Sequence, residues 1–344
     1  MSPNGISPPC GGCWTCRSRH IETDGAIIDV VAEVDGAEAR IRPHVRETRL
    51  EPSAAFGPGV FFKCENLQHT GSFKVRGAFS KLLSLSEADR SRGIITASTG
   101  NHGAAVAYAL GETGASGTVI VPNDAAPTKL AAIERLGAAV EKHGDDGAEA
   151  EAIARRIAAK HGRCYVSPYN DPQIIGGQGT IAVELLRQLD GMDAVFVSVG
   201  GGGLIAGIAG YLKARSPATR IIGCSPTNSQ VLLQSVKAGE ILDLPSLPTL
   251  SDGTAGGVEP GSITLPIARA CVDQWLTVSE AEIAAALCRF IDAHHMLIEG
   301  SAAVALAGYL QQQQAWAGRR VVIVLCGANI GLPTLRQVLA SQGH

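Results

Sequence analysis

A chain of 344 residues with a formal net charge of −3 has the length for about two domains with ample core. That charge excludes a nucleic-acid groove as the main function and points to small-molecule partners. Hydrophobic residues at 45% and charged residues at 18% exclude a disordered or fibrous class.

The first residues are rich in Pro, Gly, Ser and Cys, and residues 1–25 are expected to be a disordered or cysteine-rich extension. It has no apolar core of the signal-peptide kind. Cys10, Cys13 and Cys16, with His20 nearby, have donor types that bind zinc or an iron–sulfur cluster. Their crowding and the lack of a second cysteine pair argue against a metal. Other cysteines (Cys64, Cys224, Cys271, Cys288, Cys326) stand in apolar runs, as buried free thiols do. A reducing, cytoplasmic setting is therefore expected.

Apolar spacing from Ile27 to Ile41 predicts a helix over 27–42 that Pro43 stops. The run Val60–Cys64 predicts a strand, followed by a polar turn and then Thr70-Gly71-Ser72-Phe73-Lys74-Val75-Arg76-Gly77-Ala78, which leads into a helix to Leu85. Lys74 thus sits at a strand-to-helix junction among small and apolar neighbours. Lysines are ordinarily solvated, but a partly dry amine has a lowered pKa and becomes a nucleophile.

From Gly93 the pattern alternates. Strands are expected at Ile94–Ala97, Thr118–Val121 and Cys164–Val166, and helices at Ala104–Leu110, Pro127–Gly137 and Ala148–His161. This predicts a small α/β domain over residues 91–169 with a parallel sheet, set into a larger domain of residues 26–90 and 170–344. The larger domain repeats the grammar, with helices at Gly179–Leu189, Leu204–Ala214 and Ser301–Leu310 and strands at Ala194–Val199, Arg220–Cys224 and Val321–Leu325. Ser279 and Glu282 form a capping box for a helix to His294. The longest uncharged run, Ala194–Leu212, is interrupted by four glycines, so it reads as strand, loop and helix rather than a membrane span.

Three unusual loops each follow an apolar strand: Ser98-Thr99-Gly100-Asn101-His102-Gly103, Gly200-Gly201-Gly202-Gly203-Leu204 and Cys326-Gly327-Ala328-Asn329. Ligands bind at the carboxyl ends of strands in open parallel sheets, so the three loops suggest one cleft. Four glycines at a helix N-terminus let backbone N–H groups converge on an anion such as phosphate. A flexible turn or close helix packing is the plainer alternative for that loop alone.

Together with the lysine stretch, these motifs resemble the fold-type II pyridoxal phosphate enzymes from about Ile27 onward. The threonine and serine dehydratases match best, with serine racemase and the hydroxyectoine-utilisation dehydratase as relatives. The resemblance implies an α/β fold of the tryptophan synthase β type, with two open, mostly parallel sheets flanked by helices. It implies pyridoxal 5'-phosphate as cofactor and Lys74, flanked by Phe73, as the residue that forms the Schiff base and shuttles the Cα proton. Gly200, Gly201, Gly202, Gly203 and Leu204 would form the phosphate cup, and Asn101 would bond the ring hydroxyl. Ser98, Thr99, Gly100, His102 and Gly253 would contact the substrate. Cys326 would face the pyridine nitrogen, where a thiol is a weak donor that leaves the ring neutral. A neutral ring suits β-elimination of a 3-hydroxy amino acid to a 2-oxo acid and ammonia.

Departures refine the expectation. Ser225 stands where some relatives carry a metal-binding glutamate, so no metal is expected in that form, and Glu299 alone is weak evidence for one. Thr99 stands where the racemase carries serine, which disfavours racemisation. Val75 stands where cysteine and threonine synthases carry aspartate. Gly300, in place of proline, and the glycine-rich stretch Asp252–Gly261 lean toward the hydroxyectoine branch. The chain ends soon after Cys326, so the regulatory C-terminal domain of biosynthetic threonine dehydratases, and feedback inhibition by isoleucine, are not expected. A homodimer follows from the resemblance, and a metal- or cofactor-binding regulatory protein is the non-enzyme alternative.

Overall fold

The computed structural model describes residues 20–23 and 26–343, so Cys10, Cys13 and Cys16 lie outside the described residues. Strands β1 (His20–Thr23) and β2 (Ala26–Asp29) pair antiparallel, with Ile21 opposite Ile28. Two expectations are corrected here. Residues 20–23 belong to a sheet rather than a disordered extension, and Ile27–Asp29 is strand, so helix α1 starts at Val30 and runs to Ile41. The Asp29 carboxylate, which accepts from the Ala32 N–H at 3.0 Å, supplies the N-cap that sets this start.

The chain continues as β3 (Leu50–Pro52), β4 (Val60–Lys63), α2 (Lys74–Ser84), α3 (Glu87–Ser91), β5 (Ile94–Ala97), α4 (Asn101–Thr113) and β6 (Gly117–Val121). Then come α5 (Pro127–Arg135), β7 (Ala139–Lys142), α6 (Gly147–His161), β8 (Cys164–Tyr165), α7 (Pro172–Gln188), β9 (Ala194–Ser198) and α8 (Gly203–Arg215). The last third holds β10 (Arg220–Pro226), α9 (Val231–Ala238), α10 (Thr264–Cys271), β11 (Gln274–Val278), α11 (Glu280–His294), α12 (Gly300–Gln311), β12 (Val321–Val324) and α13 (Leu332–Ser341).

Two larger sheets result. One has the strand order β11-β10-β9-β12-β4-β3 and the other β7-β6-β5-β8. Every pairing in them is parallel except the edge pair β3–β4. The central strands β9 and β12 are buried throughout, which is why they read as unbroken apolar runs. The larger sheet and its helices share one apolar core, whereas α2 joins α4 and the smaller sheet in a second. Helices α7 and α8 cross where Gly179 meets Gly207. A Cβ on Gly207 would lie 2.3 Å from the Ile175 carbonyl oxygen, so only glycine permits the approach.

The carboxyl ends of β4, β5, β9 and β12 lead into the lysine loop, the Ser98 turn, the glycine loop and the Cys326 loop, respectively. Lys74 and Asn101 are themselves the first residues of α2 and α4, earlier starts than the apolar spacing predicts. The Ser279–Glu282 capping box is present. No helix among the described residues is long and apolar enough to cross a membrane.

Candidate active site

The lysine loop is stitched to the Cys326 loop. The Phe73 N–H donates to the Cys326 carbonyl at 3.1 Å, the Ala328 N–H donates to the Gly71 carbonyl at 2.9 Å, and Ser72 and Gly327 form an antiparallel bridge. Below the loop, Arg76 is fully buried, with Glu65 and Glu184 each accepting from its guanidinium at 2.8 Å. Lys74 Nζ donates to the Pro168 carbonyl at 2.7 Å. Part of its side chain meets solvent, but the amine lies among dense protein. Desolvation therefore lowers its pKa to about 8, against the opposing pull of Cys326 and Glu299. Thr70 Oγ1 and Ser72 Oγ are buried beside it with no protein partner.

The glycine loop is a close fit. A Cβ on Gly201 would lie 2.4 Å from the Tyr169 ring, and one on Gly200 would lie 2.8 Å from Thr254 Cα. Gly202 takes φ +93°, and a Cβ there would meet Leu232 at 2.5 Å. Leu204 is buried in the first turn of α8. The segment Pro168-Tyr169-Asn170 joins these parts. Pro168 receives the lysine and Tyr169 backs Gly201. The Tyr169 hydroxyl and Asn170 Oδ1 accept from the backbone N–H groups of Glu259 and Ile263, both at 2.9 Å. Sequence reasoning missed this segment; its only signal was a Ser-Pro-Tyr-Asn turn after a strand.

In the Ser98 turn the Gly100 N–H donates to Ser98 Oγ at 3.1 Å, and Ser98, Thr99 and Gly100 retain exposure. The His102 ring is instead turned inward and buried, its Nε2 at 2.9 Å from Thr96 Oγ1 and 3.0 Å from the Val166 carbonyl. Burial, with the Lys74 charge nearby, pushes its pKa down to about 3. A neutral ring committed to the sheet interior takes the His102 side chain out of the expected carboxylate contacts. Asn101 donates through Nδ2 to both Glu299 oxygens, at 2.9 and 3.0 Å, and its Oδ1 accepts from Asn329 Nδ2 at 2.7 Å.

Glu299 is the central group that sequence reasoning undervalued. It is the N-cap residue of α12, but its side chain makes no cap bond. Its carboxyl is buried, and desolvation raises its pKa to about 7. Cys326 Sγ lies 4.0 Å from Glu299 Oε1. Burial and this carboxyl hold the thiol well above its ordinary pKa, so it stays protonated. Gly253 stands close, since a Cβ there would lie 2.8 Å from Ser301 Oγ and 3.6 Å from Glu299. Gly300 has its own reason to be glycine, because a Cβ would lie 1.9 Å from the Leu250 carbonyl oxygen. The loop entering residue 252 thus presses on the start of α12. Ser225 Oγ donates to the Val199 carbonyl at 3.4 Å.

Residues 41–327 match the family of pyridoxal-phosphate dependent enzymes. The chain is 36% identical over 326 residues to the catabolic L-threonine dehydratase TdcB of Escherichia coli, covering 93% of this chain and 98% of that protein. It is also 36% identical over 303 residues to the beta-hydroxyaspartate dehydratase of Paracoccus denitrificans, covering 87% and 96%. Among solved structures, the processed form of threonine deaminase isoform 2 from Solanum lycopersicum superposes with a TM-score of 0.88 at 31% identity, covering 94% of this chain and 97% of that one.

Proposed function

The chain belongs to the family of pyridoxal-phosphate dependent enzymes, and from that premise we propose that its own residues perform β-elimination on a 3-hydroxy amino acid of the L-threonine or L-serine type. It is an ammonia-lyase that releases a 2-oxo acid and ammonia. The observation that supports the site assignment is the Lys74 amine, bonded to the Pro168 carbonyl at 2.7 Å, next in sequence to the Tyr169 ring on which Gly201 packs.

The residues fit pyridoxal 5'-phosphate. Gly200 to Gly203 stand at the N-terminus of α8, where the helix dipole favours a phosphate, and they pack so closely on Thr254, Tyr169 and Leu232 that a Cβ would clash. Lys74 supplies the amine, Phe73 stands beside it with the Lys74 Nζ 5.3 Å from its ring centre, and two buried hydroxyls, on Thr70 and Ser72, lack protein partners. When bound, the cofactor supplies an electron sink for cleavage at the substrate Cα. Lys74 Nζ takes the Cα proton. Cys326 keeps its proton on Sγ, so no carboxylate-like charge is placed at the ring. Asn101 orients the ring, and Ser98, Thr99 and Gly100 hold the substrate carboxylate. Gly253 and the following glycine-rich loop line the side-chain end.

The larger unit, residues 26–90 with 170–344, then carries the cofactor, except that α2 packs into the core of the smaller unit, residues 91–169. The free thiols of Cys64, Cys164, Cys224, Cys271, Cys288 and Cys326 support a reducing, cytoplasmic setting. The homodimer rests on the family resemblance, and sedimentation of the purified protein tests it.

Purified protein is given L-serine, L-threonine and 3-hydroxyaspartate, and 2-oxo acid is measured with Lys74→Ala alongside. Wild type forms oxo acid and Lys74→Ala forms none. The similarity to the hydroxyaspartate enzyme makes that substrate the second reading, and the ranking of rates decides between them. Oxo acid formation that survives Lys74→Ala overturns the assignment.

A further inference from the structure

One hydrogen-bond chain behind Asn101 carries an inference that rests on the reading of Asn101 given above. The Thr70 carbonyl can only accept, so Asn329 must turn its NH2 toward it, and it does so at 2.8 Å. The same NH2 donates to Asn101 Oδ1 at 2.7 Å. Asn101 must then present its own NH2 on the other side, where Glu299 accepts with both oxygens at 2.9 and 3.0 Å. Glu299 closes the circuit by accepting the Asn329 backbone N–H at 3.1 Å. The circuit has one polarity, and flipping either amide sets donor against donor or acceptor against acceptor. Its Thr70 end sits at φ 58°, a conformation that a β-branched residue seldom adopts.

A glutamine at 299 could not do the same work. With its oxygen in the Oε2 position it would still accept from Asn101 and the Asn329 N–H, but its NH2 would then stand in the Oε1 position, 2.9 Å from Asn101 Nδ2, donor against donor. The site therefore asks for a carboxylate, although burying one is costly.

We infer that Glu299 and Asn329 are positioning residues for Asn101: the two oxygens of the one carboxylate lie on the same side of Nδ2 and share one N–H, which leaves the other for the cofactor's ring hydroxyl, and Asn329 couples the amide through Thr70 to the lysine loop. They act through Asn101 rather than on the reacting atoms.

The test uses the full chain as Asn101→Ala, Glu299→Gln, Asn329→Ala and the two doubles that contain Asn101→Ala. The readouts are the affinity of the apo-protein for pyridoxal 5'-phosphate, the absorption maximum of the bound cofactor and the melting temperature of the apo-protein. Each single variant is expected to weaken cofactor binding by about tenfold and to shift the absorption maximum, with little change in apo melting. Neither second change should add anything in the Asn101→Ala background. Asn329 is exposed, so Asn329→Ala carries the test if Glu299→Gln unfolds. The inference is overturned if the effects add in full. It is equally overturned if Glu299→Gln and Asn329→Ala leave affinity and spectrum intact while Asn101→Ala alters both. If Asn101→Ala itself changes neither, the assignment of Asn101 to the cofactor fails, and this inference goes with it.

Discussion

Replacing Glu184 by glutamine should destabilise the protein severely, for reasons set out in the charges around it. Glu184 has no solvent exposure. It accepts from Arg76 Nη1 at 2.8 Å and Nη2 at 2.9 Å, from Arg42 Nη2 at 2.7 Å, from the Thr48 N–H at 3.2 Å and from Lys63. Glu65 is the other buried carboxylate on Arg76. Arg76 and Lys63 are thus matched by Glu184 and Glu65, and the substitution leaves a buried cation uncompensated, a loss of about 3–5 kcal/mol. Desolvation pushes the Glu184 pKa up, but Arg76 and Lys63 outweigh it and hold the carboxyl at about 2, well below its ordinary 4.5. Burial lowers the Lys63 pKa more than its pairing raises it. The two partners therefore disagree, and the carboxylate surrounded by three cations governs.

The assay is urea unfolding at neutral pH, with the double variant Lys63→Met/Glu184→Gln beside the single. The single should lose several kcal/mol, and the double should recover part of it because charge balance returns. Arg76 lies two residues beyond Lys74, so cofactor affinity should fall too. Because the folded pKa is depressed, this stabilisation is present above about 4.5 and is lost as the pH falls toward about 2. A Glu184→Gln loss below about 1 kcal/mol, or a double that is simply additive, would refute the reasoning.

Gly202→Ala should weaken cofactor binding by roughly tenfold or more, since it forces a left-handed Ala and drives a Cβ to 2.5 Å from Leu232. Gly114→Ala, at φ +66° with open space around it, is the control that should leave affinity unchanged in the same titration. On the proposed role of Lys74, capture of pyridoxal 5'-phosphate by the apo-protein requires its neutral amine, whose pKa burial lowers to about 8. Its rate constant should rise about tenfold per pH unit below that value and level off above it. A flat profile in stopped-flow absorbance would exclude the lowered amine.

The local signals in the sequence were strong where local physics decides the outcome. Apolar runs became the buried strands β9 and β12 because a parallel sheet covered on both faces needs them. The Ser279–Glu282 capping box formed because its partners are three residues apart. Lys74 at a strand-to-helix junction and four glycines ahead of a helix likewise needed no distant partner. The half-exposed edge strands β3, β7 and β11 carry weaker patterns, and the sequence reading passed over them.

Tertiary structure decided which groups face one another. Asn101 meets Glu299 across 198 residues and Asn329 across 228, and Lys74 meets Pro168 across 94. No periodicity encodes such pairs. His102 reads as a cleft residue in its motif, yet the fold turns its ring onto Thr96 and Val166. Glu299 looks like an ordinary helix-start glutamate until burial and its amide partners give it a pKa of about 7. The residue types and loops were local properties of the chain. The electrostatics of the site depend on desolvation and on neighbours far apart in sequence, and only folding brings those together.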